Sequence, residues 1–83
     1  MTNKEKEELK QEVDEMVGLI QFENIPDYSC HLKGCIDSEL RWGYNDGKWK
    51  KTKELIKLCR VAILKKNWKP VYDFLCECLK KGL

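Results

Sequence analysis

The residues of this chain best suited by type to chemistry are Cys30, His31 and Cys35. Thiolate and imidazole are zinc's preferred ligands, and Cys76 and Cys78 further along would bring the donor set to five. The spacing argues against it. Four residues separate Cys30 from Cys35 and one separates Cys76 from Cys78, whereas the familiar zinc knuckle has two. On a helix, Cys76 and Cys78 point about 200° apart and do not easily face one ion. Thiols used as small apolar residues, beside a surface histidine, is the plainer reading. No metal or cofactor is therefore expected, and a small zinc domain built on Cys30, His31 and Cys35 stands as an alternative. A Cys–His nucleophile pair fares worse, because catalysis needs an oriented base and an oxyanion site in a cleft. The sequence has no Gly-rich phosphate loop, His-Glu-x-x-His pair or calcium loop. An enzyme is not expected.

A second constellation is a basic stripe. Lys50, Lys53, Lys57 and Arg60 recur at spacings of three, four and three, with Lys65, Lys66 and Lys69 following. Trp42, Tyr44 and Trp49 stand just before it. Such a stripe can follow a phosphate backbone in a salt-dependent way while the aromatics stack on bases. It attracts an acidic protein surface equally well. Fourteen of the sixteen basic residues are lysine, a hydrated point charge without the planar fork that reads base edges. Charges on the outer face of a helix also serve simply to solvate it, and the aromatics serve as core plugs.

The stripe belongs to a strongly divided chain. Residues 1–46 carry five Lys/Arg against eleven Asp/Glu, a balance of −6, and residues 47–83 carry eleven against three, a balance of +8. Asymmetry of this kind concerns partners and association rather than fold. The acidic run Glu5, Glu7, Glu8, Glu12, Asp14, Glu15 could imitate a phosphate backbone, or could make ordinary helix pairs with Lys4, Lys6 and Lys10. In a homodimer, the acidic helix of one chain would meet the basic stripe of the other.

The elements that position these residues read as helices. Thr2 and Glu5 form a capping-box pattern. Leu9, Val13, Met16, Val17 and Ile20 make one apolar stripe, predicting a helix over 3–21 that ends before Pro26. Gly18 inside it suggests a close helix crossing. From 48 to 66 a second helix carries a broad apolar arc of Leu55, Ile56, Leu58, Cys59, Val61, Ala62 and Ile63, so it should contact more than one neighbour. Leu64 interrupts its basic side. A third helix is predicted over 69–81, with Asn67 or Lys69 at its start and Pro70 in the first turn. Val71, Phe74, Leu75, Cys78 and Leu79 form its stripe; Lys80 and Lys81 suit its C-terminal end and Gly82 its stop. The 27–45 connection reads as one or two short helices, the first stopped by Gly34. The competing reading over 38–50 is a β-hairpin turning at Asn45-Asp46-Gly47.

One rhyme runs through the second half. Trp49-Lys50, Glu54-Leu55-Ile56 and Cys59 are echoed nineteen residues on by Trp68-Lys69, Asp73-Phe74-Leu75 and Cys78. A small turn, an aromatic and an amphipathic helix in this order resemble the tetratricopeptide style of repeat, though at a shorter period. The resemblance implies two helices entering with similar geometry.

The expected fold is thus all-α, a single domain of residues 1–83. It should be a small bundle of three main amphipathic helices at about 3–21, 48–66 and 69–81, with one or two short helices between. At 42% hydrophobic the composition suits a globular chain. It has no run of about 20 apolar residues and no apolar leader, so neither membrane span nor secretory signal is expected. The odd cysteine count suggests reduced thiols and a cytoplasmic setting. The expected function is non-catalytic: an adaptor or inhibitor binding the acidic surface of a larger protein. Size, lysine content and the lack of catalytic motifs resemble accessory proteins of viruses and mobile elements. The contact residues expected are Lys50, Lys53, Lys57, Arg60, Lys65, Lys66, Trp42, Tyr44 and Trp49. The alternative is a nucleic-acid-binding protein using the basic helix 48–66.

Overall fold

The computed structural model describes residues 2–28 and 30–80, with Leu79 and Lys80 by backbone alone. They form four helices: α1 (Asn3–Ile20), α2 (Leu32–Asn45), α3 (Trp49–Lys65) and α4 (Lys69–Lys80). No strand occurs among the described residues, so the hairpin reading of 38–50 falls away. The two short helices expected within 27–45 are instead one helix of 14 residues, α2. Its stripe is Leu32, Ile36, Leu40 and Gly43, buried at spacings of four, four and three. Gly34 was expected as a stop, but a glycine ends a helix where it turns left-handed at the C-terminal side. Gly34 sits in the first turn of α2, and among described glycines only Gly47 has positive φ, at 75°. The Asn45-Asp46-Gly47 turn is real, as the exit of a helix: Lys48 N–H bonds to the Gly43 carbonyl at 2.8 Å and Asp46 N–H to that of Trp42 at 2.8 Å.

The other boundaries follow the sequence closely. Thr2 Oγ1 accepts the Glu5 N–H at 3.2 Å, and the Thr2 hydroxyl lies 3.3 Å from Glu5 Oε1, which fixes the start of α1. α3 closes at Lys66, left-handed at φ 56°, with the Lys66 and Asn67 N–H groups both reaching the Ala62 carbonyl. Asn67 Oδ1 accepts the Lys69 N–H at 3.2 Å and so helps start α4. The expected continuation to Lys81 and the Gly82 stop lie outside the described residues, as do the side chains of Leu79 and Lys80.

α2 and α3 make a central antiparallel hairpin. α1 packs against both of them, α4 packs on α3 and more lightly on α2, and the backbones of α1 and α4 make no close approach among the described residues. The molecule is accordingly flat, 36 × 29 × 17 Å. α1 and α3 run parallel, since Lys6 near the start of α1 lies over Trp49 at the start of α3 and Glu12 further along α1 meets Arg60 further along α3. The arrangement has two ends. At one, α1 and α3 begin while α2 and α4 finish; at the other the reverse holds.

The core joins Leu9, Val13, Met16, Val17 and Ile20 of α1 to the α2 stripe and to Leu55, Ile56, Cys59 and Ala62 of α3. Full burial of such side chains contributes roughly 1.5–3 kcal/mol each. α4 adds Val71, Leu75 and Cys78, with Phe74 half-buried, and Trp68 closes the core at its start. Val61, expected in the apolar arc of α3, is exposed. The close helix crossing is not at Gly18, where a Cβ would meet nothing within 4 Å. It is at Gly43, where a Cβ would sit 2.6 Å from Thr52 Oγ1. Thr52 is buried and donates its hydroxyl to the Lys48 carbonyl at 3.1 Å, one turn back on α3.

Candidate partner-binding surface

Helical geometry divides the basic stripe among three places. Lys53, Lys57 and Arg60 lie along the α1 seam opposite Glu5, Glu8 and Glu12, and Arg60 Nη2 is 3.8 Å from Glu12 Oε1. The acidic and basic halves thus meet within one chain. A pair this exposed contributes about 0–1 kcal/mol, so the seam balances charge more than it holds the helices together. Lys65 and Lys66 stand exposed at the end where α3 finishes, far along the helix from the rest.

Lys50 goes elsewhere. It lines a groove of about 750 Å³ between the start of α3 and the end of α4, with Lys48, Trp49 and Lys51 on one side and Phe74, Glu77 and Cys78 on the other. Trp49 is half-buried, Lys6 Nζ stands 4.8 Å from its ring centroid, and its indole Nε1 is buried without a hydrogen-bond partner. Tyr44 is half-buried too and donates its hydroxyl to the Lys6 carbonyl at 3.2 Å. Tyr44 therefore ties α2 to α1, and Trp49 serves the packing of this end as well as the groove.

Trp42 is different. It is 67% exposed, in a cluster with Glu39, Asp46, Lys48 and Lys51. Lys48 and Lys51 belong to both surroundings and so link Trp42 to the groove. Lys51 is held by Glu39, with Nζ 2.6 Å from Oε2 in a mostly buried pair that fastens α3 to α2. One end of the molecule thus presents an exposed indole and an apolar-floored groove edged by Lys48, Lys50 and Lys51.

The cysteines and the histidine do not converge. His31 Nδ1 lies 3.1 Å from Asp27 Oδ1, and its ring leans over Gly34, where a Cβ would be 2.8 Å from Cδ2. Among the described residues no group of three or more His, Cys, Asp or Glu is arranged to hold a metal ion. Cys30 instead meets Cys35. Burial raises the Cys35 thiol above its ordinary range, helped by the hydrogen bond with Cys30 and by the charges of Cys30, Glu39 and Cys76. Burial alone pushes Cys59 up to about 12.

Of the expected contact residues, the fold leaves Trp42, Trp49 and Lys50 at one end of the molecule, in two neighbouring surroundings that share Lys48 and Lys51, and sends Lys53, Lys57, Arg60, Lys65 and Lys66 to other surfaces. Lys48, Lys51 and Phe74 were not expected at this site. Their signal was faint: Phe74 looks like core because it shares the α4 stripe, and only the α3–α4 packing leaves one side of it facing the groove. The chain matches no protein family, and neither a curated protein nor a solved structure shows a significant match to it.

Proposed function

We propose that the protein is a non-catalytic binding protein, an adaptor or inhibitor that grips an acidic, partly apolar segment of a larger protein at the Trp42–Trp49 end. The observation that carries this is the pairing of a Trp 67% exposed with an adjoining groove of about 750 Å³ edged by Lys48, Lys50 and Lys51. A large aromatic left in water gains most when a partner covers it, and such residues dominate binding energy at interfaces. The lysines around it, which outnumber Glu54 and Glu77 in the groove lining, attract carboxylates and speed encounter. Nucleic acid is the second reading, resting on Lys53, Lys57 and Arg60. The three carboxylates opposite them repel phosphate, which favours the protein partner. Within the described residues no helix is long and apolar enough to cross a membrane.

The test compares tagged wild type with Trp42→Ala, Lys50→Glu and the control Leu64→Ser, each checked for helicity, in capture from lysate of the source cells. A single protein retained by wild type and by the control, and reduced at least tenfold by the other two, supports the reading. Equal retention by all four overturns it. So does co-purification of nucleic acid that salt removes and that Lys53→Glu with Lys57→Glu abolishes.

A further inference from the structure

The start of α2 holds two thiols, Cys30 exposed and Cys35 partly buried against the core. His31 is the N-cap, extended at φ −75° and ψ 91°, and makes no side-chain capping bond. Cys30 is therefore the residue before the cap and Cys35 the fourth residue of the helix. Side chains at these two positions meet across the first turn, in what is ordinarily an apolar staple. Here both are thiols, and after burial the nearness of Cys30 is among the causes that raise the Cys35 thiol. The Cys35 N–H bonds back to the His31 carbonyl at 3.0 Å, which fixes the turn beneath them. Cys30 is exposed and Cys35 half-buried, whereas Cys59 and Cys78 are buried. Cys76 on α4, half-buried, is the competitor near Cys35.

We infer that Cys30 and Cys35 are an oxidisable pair that closes to an intrachain disulfide across the first turn of α2, by exchange with a small disulfide of the glutathione class. The exposed Cys30 thiolate attacks one sulfur of oxidised glutathione, forming a mixed disulfide and expelling one glutathione thiolate, which takes up a proton. The Cys35 thiolate then attacks Sγ of Cys30, the mixed S–S bond breaks, and the second glutathione leaves. The two cysteines together lose two protons and two electrons, and the glutathione disulfide gains them as two thiols. In a reducing compartment the pair rests as thiols, so closure responds to an oxidising shift. The closed form ties the 21–31 connection to α2 and supplies the restraint that the His31 side chain does not.

The experiment treats the full chain with oxidised and reduced glutathione at graded ratios, quenches by acid, and maps disulfides by tryptic mass spectrometry. Trypsin cuts after Lys33, between the two cysteines, so the bond joins two otherwise separate peptides. The expected product is a monomer lighter by two hydrogens with those peptides linked, melting roughly 5 °C or more above the reduced form. Cys35→Ser should stop at a glutathione adduct on Cys30, and Cys76→Ser should leave closure unchanged. A wild-type chain that keeps the adduct, forms a disulfide-linked dimer, or joins Cys35 to Cys76 overturns the assignment.

Discussion

The two ends of the molecule are built differently. At the Trp42–Trp49 end, α2 passes to α3 through Asp46, Gly47 and Lys48 alone, and backbone bonds to Trp42, Gly43 and Tyr44 secure every step. At the other end, α1 passes to α2 through residues 21–31, where no helix occurs among the described residues. What steadies it is side chains: Tyr28 stacks on Tyr72 with centroids 4.6 Å apart, and Lys33 Nζ reaches the Gln21 carbonyl at 3.3 Å. A short turn leaves no slack, so it can present an exposed Trp in a fixed position at little entropic cost. A long connection must be fastened from outside, and there the thiol pair sits. The same end leaves Phe22 89% and Leu64 82% exposed. Exposed apolar residues scattered singly are common and carry no function by themselves.

The largest effect separates the tryptophans of the two ends. Trp68, buried at the entry to α4, should cost about 3–5 kcal/mol when changed to Ala. Trp42→Ala at the opposite end should cost less than about 0.5 kcal/mol. Urea melts of the two variants check this, and equal losses would break the contrast and return Trp42 to the core. Next come the glycines. Gly43→Ala would drive a methyl into Thr52 Oγ1 and should destabilise by about 1–3 kcal/mol, with the double variant Gly43→Ala/Thr52→Ser recovering little because the hydroxyl remains. A neutral Gly43→Ala would mean that the α2–α3 crossing is looser than its distances imply. The smallest effect has the opposite sign. Gly18→Ala, exposed in α1 near the other end with open space around it, should stabilise by about 0.5–1 kcal/mol in the same assay.

Where the sequence could be read and where it could not follows from the range of the forces involved. The helices at 3–21, 48–66 and 69–81 were legible within a residue or so because caps and apolar periodicity act over a few positions. α2 was missed because two glycines and a polar surround obscured a clean stripe of Leu32, Ile36 and Leu40. The Trp49–Trp68 rhyme was right about helix entry, yet one Trp borders a groove and the other is sealed in the core. The shared Trp-Lys entry does not distinguish them, because the neighbour that covers each is distant in the chain.

By itself, then, the sequence determined the helical class, the caps of α1, the turn at Gly47 and the division of charge, all properties of residues close along the chain. Only the tertiary structure decided that the two charged halves face each other along the α1–α3 seam. It also decided that the tight crossing falls at Gly43 instead of Gly18, that Lys50 parts company with Lys53 and Lys57, and that Trp42 stands in water. Each of these depends on which helix lies beside which, and that choice is made by burying four apolar stripes together in one thin core.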